Sequence, residues 1–299
     1  MTIATTTTTA TIVTAQCRGL RLPSIAARWE SMEQEAVRNA LTHSAYLSAL
    51  MEQELDDRAQ RRTHRRVTGA HFPAVKRLSE FQFGEAPTIS AAQISQLAEG
   101  GYIGKAENVL FVGDSGTGKT MLATALGVAA CQQGRSVRFT TVAALVNELL
   151  EARDERTLSR VVGRWARFDL LIADELGYVT LPPSGAELLF QILAQRSEAG
   201  SVIVTTNLPF SEWTNVFADP RLCKAVVERL TYRSHIVETG NESYRFKRSL
   251  ARQHTTNSRA TEPSSQKRGA VSLPTARNEG STTPDTPPVI HKKETTKTS

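Results

Sequence analysis

This chain has little that could cross-link it, anchor it or export it. Its 299 residues hold three cysteines, Cys17, Cys131 and Cys223. The number is odd, the positions are far apart and no metal-ligand spacing joins them, which argues against a disulfide framework or a zinc site and fits a reducing cytoplasm. No apolar run approaches the ~18 residues of a membrane span. The opening MTIATTTTTATIVTAQC has no basic residue ahead of its apolar positions and so makes a poor export signal. Charge imbalance is also small: 36 Lys plus Arg against 30 Asp plus Glu leave +6, which matters only where it is concentrated. With 40% hydrophobic residues, the chain can bury one good-sized core and a smaller appendage. The expectation is a soluble cytoplasmic protein with no membrane partner.

What is present centres on NVLFVGDSGTGKTMLATA, Asn108 to Ala125. The apolar run Asn108 to Val112 reads as a buried strand, and the Ala/Leu-rich stretch after Thr120 as a helix. Between them Gly113, Gly116 and Gly118 supply backbone free to turn and without side chains to block a close ligand. Such a loop can wrap a phosphate with its own N–H groups and with the positive end of the following helix. Gly113, Asp114, Ser115, Gly116, Thr117, Gly118, Lys119, Thr120 and Met121 are therefore the candidate nucleotide-binding residues. Lys119 adds a mobile ammonium and the Thr120 hydroxyl is placed to ligate Mg²⁺. This is a P-loop, or Walker A motif, and it calls for ATP and Mg²⁺. The bland alternative is a chance glycine turn.

Taken in order, residues 1–17 are Thr-rich and read as a disordered tail. Residues 18–68 turn helical, with Leu22, Ile25, Trp29, Met32 and Ala36 at helical spacing, and form a small N-terminal helical domain. It closes on RAQRRTHRR, where Arg58, Arg61, Arg62, Arg65 and Arg66 fall at i, i+3, i+4, i+7 and i+8. On a helix this gathers five guanidinium groups, a surface suited to the phosphate backbone of nucleic acid rather than to base readout. A solvated basic face is the alternative. Residues 69–105 read as a connector whose aromatics tuck against the next domain, with Leu97 to Ile103 as the candidate wall of an adenine pocket. Residues 106–247 alternate strands with helices and predict a parallel sheet covered on both faces, an α/β fold. Residues 248–299 are rich in Thr, Ser, Pro, Lys and Arg and read as a disordered tail, leaving no C-terminal lid domain.

Two further positions complete the expected site. In DLLIADELG, Asp169 to Gly177, a buried strand delivers Asp174 and Glu175 at its carboxyl end, the edge where open α/β sheets bind ligands. This is the Walker B arrangement, in which Asp174 would hold Mg²⁺ through a water and Glu175 would polarise the water attacking the γ-phosphate. SVIVTTN then ends a strand in Asn207, whose amide can bond the γ-phosphate and that water, unless it merely caps the turn before Pro209. Arg229, near the end of a later helix, is the candidate arginine finger for a neighbouring subunit. Arg221 and Arg233 are its rivals.

The ordered set GDSGTGKT, DLLIADELGY, TTN with PFSEW, then ERL and SYR resembles the IstB-like ATP-binding proteins. These are helper ATPases of bacterial insertion sequences, related to DnaC helicase loaders within the AAA+ superfamily. The resemblance runs over roughly residues 20–247. Asp114-Ser115 stands where the family often has two prolines, and TYRSH departs from its usual His-rich run. The resemblance implies a P-loop NTPase of AAA+ type that forms a homo-oligomer on duplex DNA with ATP, distorts the duplex and presents it to a transposase. A helicase loader in replication is the alternative within the superfamily. A small-molecule kinase and a scaffold that binds ATP without hydrolysis are the alternatives outside it.

Overall fold

Five short apolar runs become the five strands of one parallel sheet: β1 (Asn108–Val112), β2 (Val137–Thr141), β3 (Leu170–Leu176), β4 (Ser201–Thr206) and β5 (Ser234–Glu238), in the spatial order β2-β3-β4-β1-β5. The computed structural model describes residues 2–241 and residue 243. The expected tail 248–299, the expected absence of a lid after the last strand, and Tyr244 and Arg245 of the SYR signature lie outside the described residues.

The runs are apolar without alternation because both faces of the sheet are covered. Val109, Phe111, Ile172 and Ile203 point into one layer, where they meet Leu122, Ala123 and Leu126 of α6 (Lys119–Gln132). This layer is extended by α4 (Ala91–Ala98) and the one-turn α5 (Gly101–Gly104). Leu110, Leu171, Val202 and Val204 point the other way. They pack against α7 (Val142–Asp154), α8 (Leu158–Ala166), α9 (Pro183–Ala199) and α10 (Pro220–Thr231). Because all five strands run the same way, every strand end that carries a loop of interest opens on one edge of the sheet.

Ahead of the sheet lie α1 (Thr2–Gly19), α2 (Pro23–Arg38) and α3 (His43–Gly69). The first of these corrects the expected disordered tail over residues 1–17. Threonine is a weak helix former, so composition pointed to a tail. Val13 and Cys17 nevertheless pack against Leu22, Ile25 and Trp29, and the Trp29 indole donates to Thr14 Oγ1 at 3.3 Å. Contacts made far along the chain outweigh local propensity here. The end of α3 leads to the free edge of β2, where the Phe139 amide donates to Ala70 O at 2.8 Å and blunts the edge. Among the described residues no helix is long and apolar enough to cross a membrane.

One carboxylate organises the helical unit. Leu22, at the start of α2, makes no side-chain cap, so the first amides of that helix need an outside acceptor. Glu54 of α3, 3% exposed, supplies it: Oε2 accepts from Ser24 N at 2.8 Å and Ile25 N at 3.3 Å. Arg58 reaches Oε1 at 2.7 Å and Arg61 at 3.3 Å. Burial pushes the Glu54 carboxyl up, but the bonds from Arg58, Ser24 and Ile25 outweigh it and hold it below the usual carboxylate range.

Glu54→Ala is expected to cost about 2–4 kcal/mol of local stability, read as lost hydrogen-exchange protection at Ser24 and Ile25. A carboxyl with a lowered folded-state pKa stabilises fully above its unfolded value and less as pH falls through the folded one. The difference between wild type and variant should therefore be complete at neutral pH and fade below roughly pH 4. Equal protection in both proteins at pH 7 would remove Glu54 from this role.

Candidate functional site

The loop between β1 and α6 is fixed at both flanks. Gly113 N donates to Thr206 O at 3.2 Å, Asp114 N to Gly240 O at 3.0 Å, and Thr239 N to Val112 O at 2.8 Å. These bonds wedge the loop's start between β4 and β5. A Cβ on Gly113, where φ is +151°, would lie 2.4 Å from Thr239 Oγ1 and 2.7 Å from Gly240 O. At Gly118, where φ is +99°, it would lie 2.7 Å from the Phe81 ring. Glycine is required twice over, by conformation and by space. Thr117 Oγ1 donates to Asp114 O at 2.9 Å and lies 2.6 Å from Thr239 Oγ1. Lys119 is buried, and its ammonium donates to Gly113 O at 2.6 Å and Asp114 O at 2.7 Å. Gly118 offers no side-chain cap to α6, so the amides at that helix start face the loop as anion donors.

The carboxylates meet this loop from β3, which is separated from β1 by β4. Thr120 Oγ1 donates to Asp174, 3.1 Å from each carboxylate oxygen, so the two motifs share one end of the sheet. Successive residues of a regular strand point to opposite faces, which would separate Asp174 from Glu175. The register between β3 and β4 shifts between Ala173 and Leu176, and Glu175 takes φ +65°, a left-handed conformation costing roughly 1–3 kcal/mol for a non-glycine residue. Asp174 turns inward and Glu175 stays exposed. Sequence reasoning missed Thr205, which sits at this break: its hydroxyl donates to Asp174 Oδ1 at 2.5 Å and accepts from Glu175 N at 2.9 Å. The only signal for it was the Thr-Thr pair before Asn207. Asn207 Oδ1 is buried and has no hydrogen-bond partner among the described residues. Tyr178, from the LGY signature, donates to Ser115 Oγ at 3.1 Å.

Beside the loop is a cavity of about 660 Å³, lined among others by Phe81, Gln82, Ala86, Pro87, Met121 and Gly240. Leu97 and Ile103, the ends of the expected adenine wall, are buried within the layer beneath α6 and do not line this cavity, whose wall from the connector comes from Lys76, Glu80 to Gln82 and Glu85 to Thr88. The residues present fit a nucleotide with its cation. A glycine-rich loop, a buried ammonium and an amide oxygen with no partner among the described residues lie at the same end of the sheet. Among the described residues no cluster of three or more His, Cys, Asp or Glu could hold a metal alone. Magnesium usually takes one or two protein oxygens and completes its shell with phosphate and water, which Thr120 and Asp174 match.

The five arginines of α3 do not form one equivalent set. Arg58 and Arg61 are engaged with Glu54. Arg62 and Arg65 are exposed, with Nε donating to Arg58 O and Arg61 O one turn back. All four, with Arg21, line an open groove of about 900 Å³ that also includes Pro23 and Leu55. Arg66 is directed elsewhere, toward Gly134 and Cys131 at the end of α6. Arg229 is exposed, with its guanidinium 5.7 Å from the Phe190 ring centroid. Its backbone is tied to the first residue of β1, since Asn108 Nδ2 donates to Arg229 O at 3.4 Å. That end of the strand is opposite the P-loop.

Gly118→Ala is expected to lower nucleotide affinity at least ~10-fold through the loop's conformation. Adding Phe81→Ala should relieve the contact but not the backbone strain, so rescue should be partial. Titration with a fluorescent ATP analogue tests this, and wild-type affinity in the single variant would show that the loop tolerates a side chain.

The family described as IstB-like ATP binding protein matches residues 15–252. A Sinorhizobium fredii (strain NBRC 101917 / NGR234) protein named as an insertion-sequence ATP-binding protein is 39% identical over 237 residues, covering 79% of this chain and 80% of that one. A Geobacillus stearothermophilus protein named for ATP binding in insertion sequence IS5376 is 34% identical over 231 residues, 77% of this chain and 92% of that one. Among solved structures, one of the DnaC helicase loader is 22% identical with a TM-score of 0.44, over 50% of this chain and 86% of that one. With more than three quarters of its length matched by the family and its relatives, the chain belongs to the IstB-like ATP-binding proteins.

Proposed function

We propose that this ATPase assembles on duplex DNA as an ATP-dependent homo-oligomer and there assists the transposase of an insertion sequence. The observation that carries the reading is the pairing of two features in one chain. A P-loop lysine, a magnesium-type Thr120–Asp174 pair and a buried Asn207 amide oxygen with no partner among the described residues converge at one sheet end, and a separate helix carries an arginine-lined groove. The relatives' names, which pair ATP binding with insertion sequences, support it.

In this reading, residues 81–88 and Met121 receive the adenine, and the amides of the Gly113 to Lys119 loop receive the phosphates. Lys119 exchanges its bonds with the Gly113 and Asp114 carbonyls for the β- and γ-phosphate oxygens. Bound Mg²⁺, held by Thr120 and Asp174, would draw charge from the phosphates as the bond to the γ-phosphate breaks. Glu175 polarises the attacking water, and Asn207 directs its free oxygen to the same water. Arg229 serves a neighbouring subunit, because its backbone lies a strand's length, roughly 13 Å, from the loop of its own chain. Arg58, Arg61, Arg62 and Arg65 contact the duplex through phosphate, so binding follows backbone and deformability rather than base sequence.

Two measurements test the reading. Size determination with and without duplex DNA, in ATP or a non-hydrolysable analogue, should show an assembly that requires both ligands; a monomer under every condition would overturn it. Replacing Arg62 and Arg65 with Ala should weaken duplex binding and flatten the log–log salt dependence by roughly 0.9 for each lost phosphate contact. An unchanged slope would return these arginines to ordinary surface.

A further inference from the structure

The adjacent carboxylates Asp174 and Glu175 can serve one ligand only because β3 loses its regular pleat between them. In an unbroken parallel ladder the Glu175 amide would bond a backbone carbonyl of β4. Here Ala173 is opposite Val204 and Leu176 opposite Thr206, so three steps along β3 match two along β4, and one residue is extra. The amide released by that mismatch finds a side chain, Thr205 Oγ1, at 2.9 Å. A hydroxyl has one proton to give, and Thr205 gives it to Asp174 Oδ1. The same oxygen atom thus holds the main chain of the exposed carboxylate and the side chain of the buried one. Thr205 is 1% exposed, so no water competes for either bond.

We propose that Thr205 is a positioning residue for hydrolysis. It holds the left-handed turn at Glu175 that aims this carboxylate out of the sheet edge, and it fixes the rotamer of Asp174 toward Thr120. Asn207 follows two residues later on the same strand end. The group that meets the γ-phosphate and the group that aims the base are therefore carried by one rigid segment, and a displacement of Asn207 on nucleotide binding moves the support of Glu175 with it. The proposal rests on the assignment of Asp174 and Glu175 to the magnesium and water sites.

The test compares hydroxyl with shape. Thr205→Val keeps the volume and removes the hydroxyl; Thr205→Ser keeps the hydroxyl and removes the methyl. Steady-state ATPase assays on the full chain should show kcat reduced ~10–100-fold in Thr205→Val, with KM for ATP little changed and half-saturating Mg²⁺ raised. Thr205→Ser should stay near wild type. A residue that mattered only for packing would give the reverse order, with Ser worse than Val and thermal midpoint falling in step with activity. Thr205→Ala serves as a second hydroxyl-free variant should the valine protein fail to fold. Glu175→Gln, assayed alongside, separates the two levels of the argument. Full turnover in Glu175→Gln would sink the site assignment itself. Lost turnover in Glu175→Gln with wild-type kcat in a folded hydroxyl-free Thr205 variant would sink the role of Thr205 alone.

Discussion

A carboxylate that is 3% exposed must be stabilised by something other than water, and Asp174 is stabilised by hydroxyls from two other segments. Thr120 belongs to the first turn of α6 and Thr205 to the end of β4, so this one side chain of β3 ties the start of α6 to β3 and β4. The parallel order of the sheet makes the arrangement possible. With β4 lying between β1 and β3, Thr205 of β4 can reach the end of β3 while the carbonyl of the next residue, Thr206, accepts from Gly113 N. The site is thus the shared edge of three strands rather than a property of any single motif.

Much of this was legible in the sequence wherever the signal was local. Strands buried on both faces show as unbroken apolar runs, and the phosphate loop shows as glycines where only glycine fits; both Gly113 and Gly118 have positive φ and no room for a Cβ. What stayed hidden depends on distant contacts. The Thr-Thr pair before Asn207 does not by itself mark Thr205 as the partner of Glu175, because the mismatch that frees the Glu175 amide exists only once β3 and β4 are paired. The cavity wall was assigned to Leu97 and Ile103 because they lead into the strand, yet apolar residues that close a core and those that line a cavity look alike until packed. The helix over Thr2–Gly19 was missed for the same reason, since Trp29 and Ile25 hold it from another helix.

The basic helix shows how one buried charge changes the reading of five exposed ones. Spacing alone treats Arg58, Arg61, Arg62, Arg65 and Arg66 as equivalent. Glu54 is the acceptor for the uncapped start of α2, and it engages Arg58 and Arg61 in doing so. The positive charge that remains uncompensated on the groove is therefore weighted toward Arg62 and Arg65. A phosphate arriving there meets guanidinium groups already spread by their own helix bonds, whereas one arriving at Arg58 competes with a buried carboxylate.

The segment between the groove and the phosphate loop is anchored on α6 at separate points. α3 is 27 residues long, roughly 40 Å at the α-helical rise. Its last turn packs Val67 into the layer beneath α6, and Phe72 follows against the same helix. At Gly127 in the middle of α6 a Cβ would lie 2.7 Å from both Phe72 and Ile172, so the connector sits as close to that helix as atoms allow. Nine residues later Phe81 lies against Gly118 at the other end of α6. The segment after the basic helix thus touches the middle of α6, then its nucleotide-facing start, before forming the cavity wall. Close-packed contacts of this kind do not compress. Phe81 therefore sits against Gly118 while Phe72 is packed against the middle of the same helix, so the connector is pinned to α6 at both of its ends.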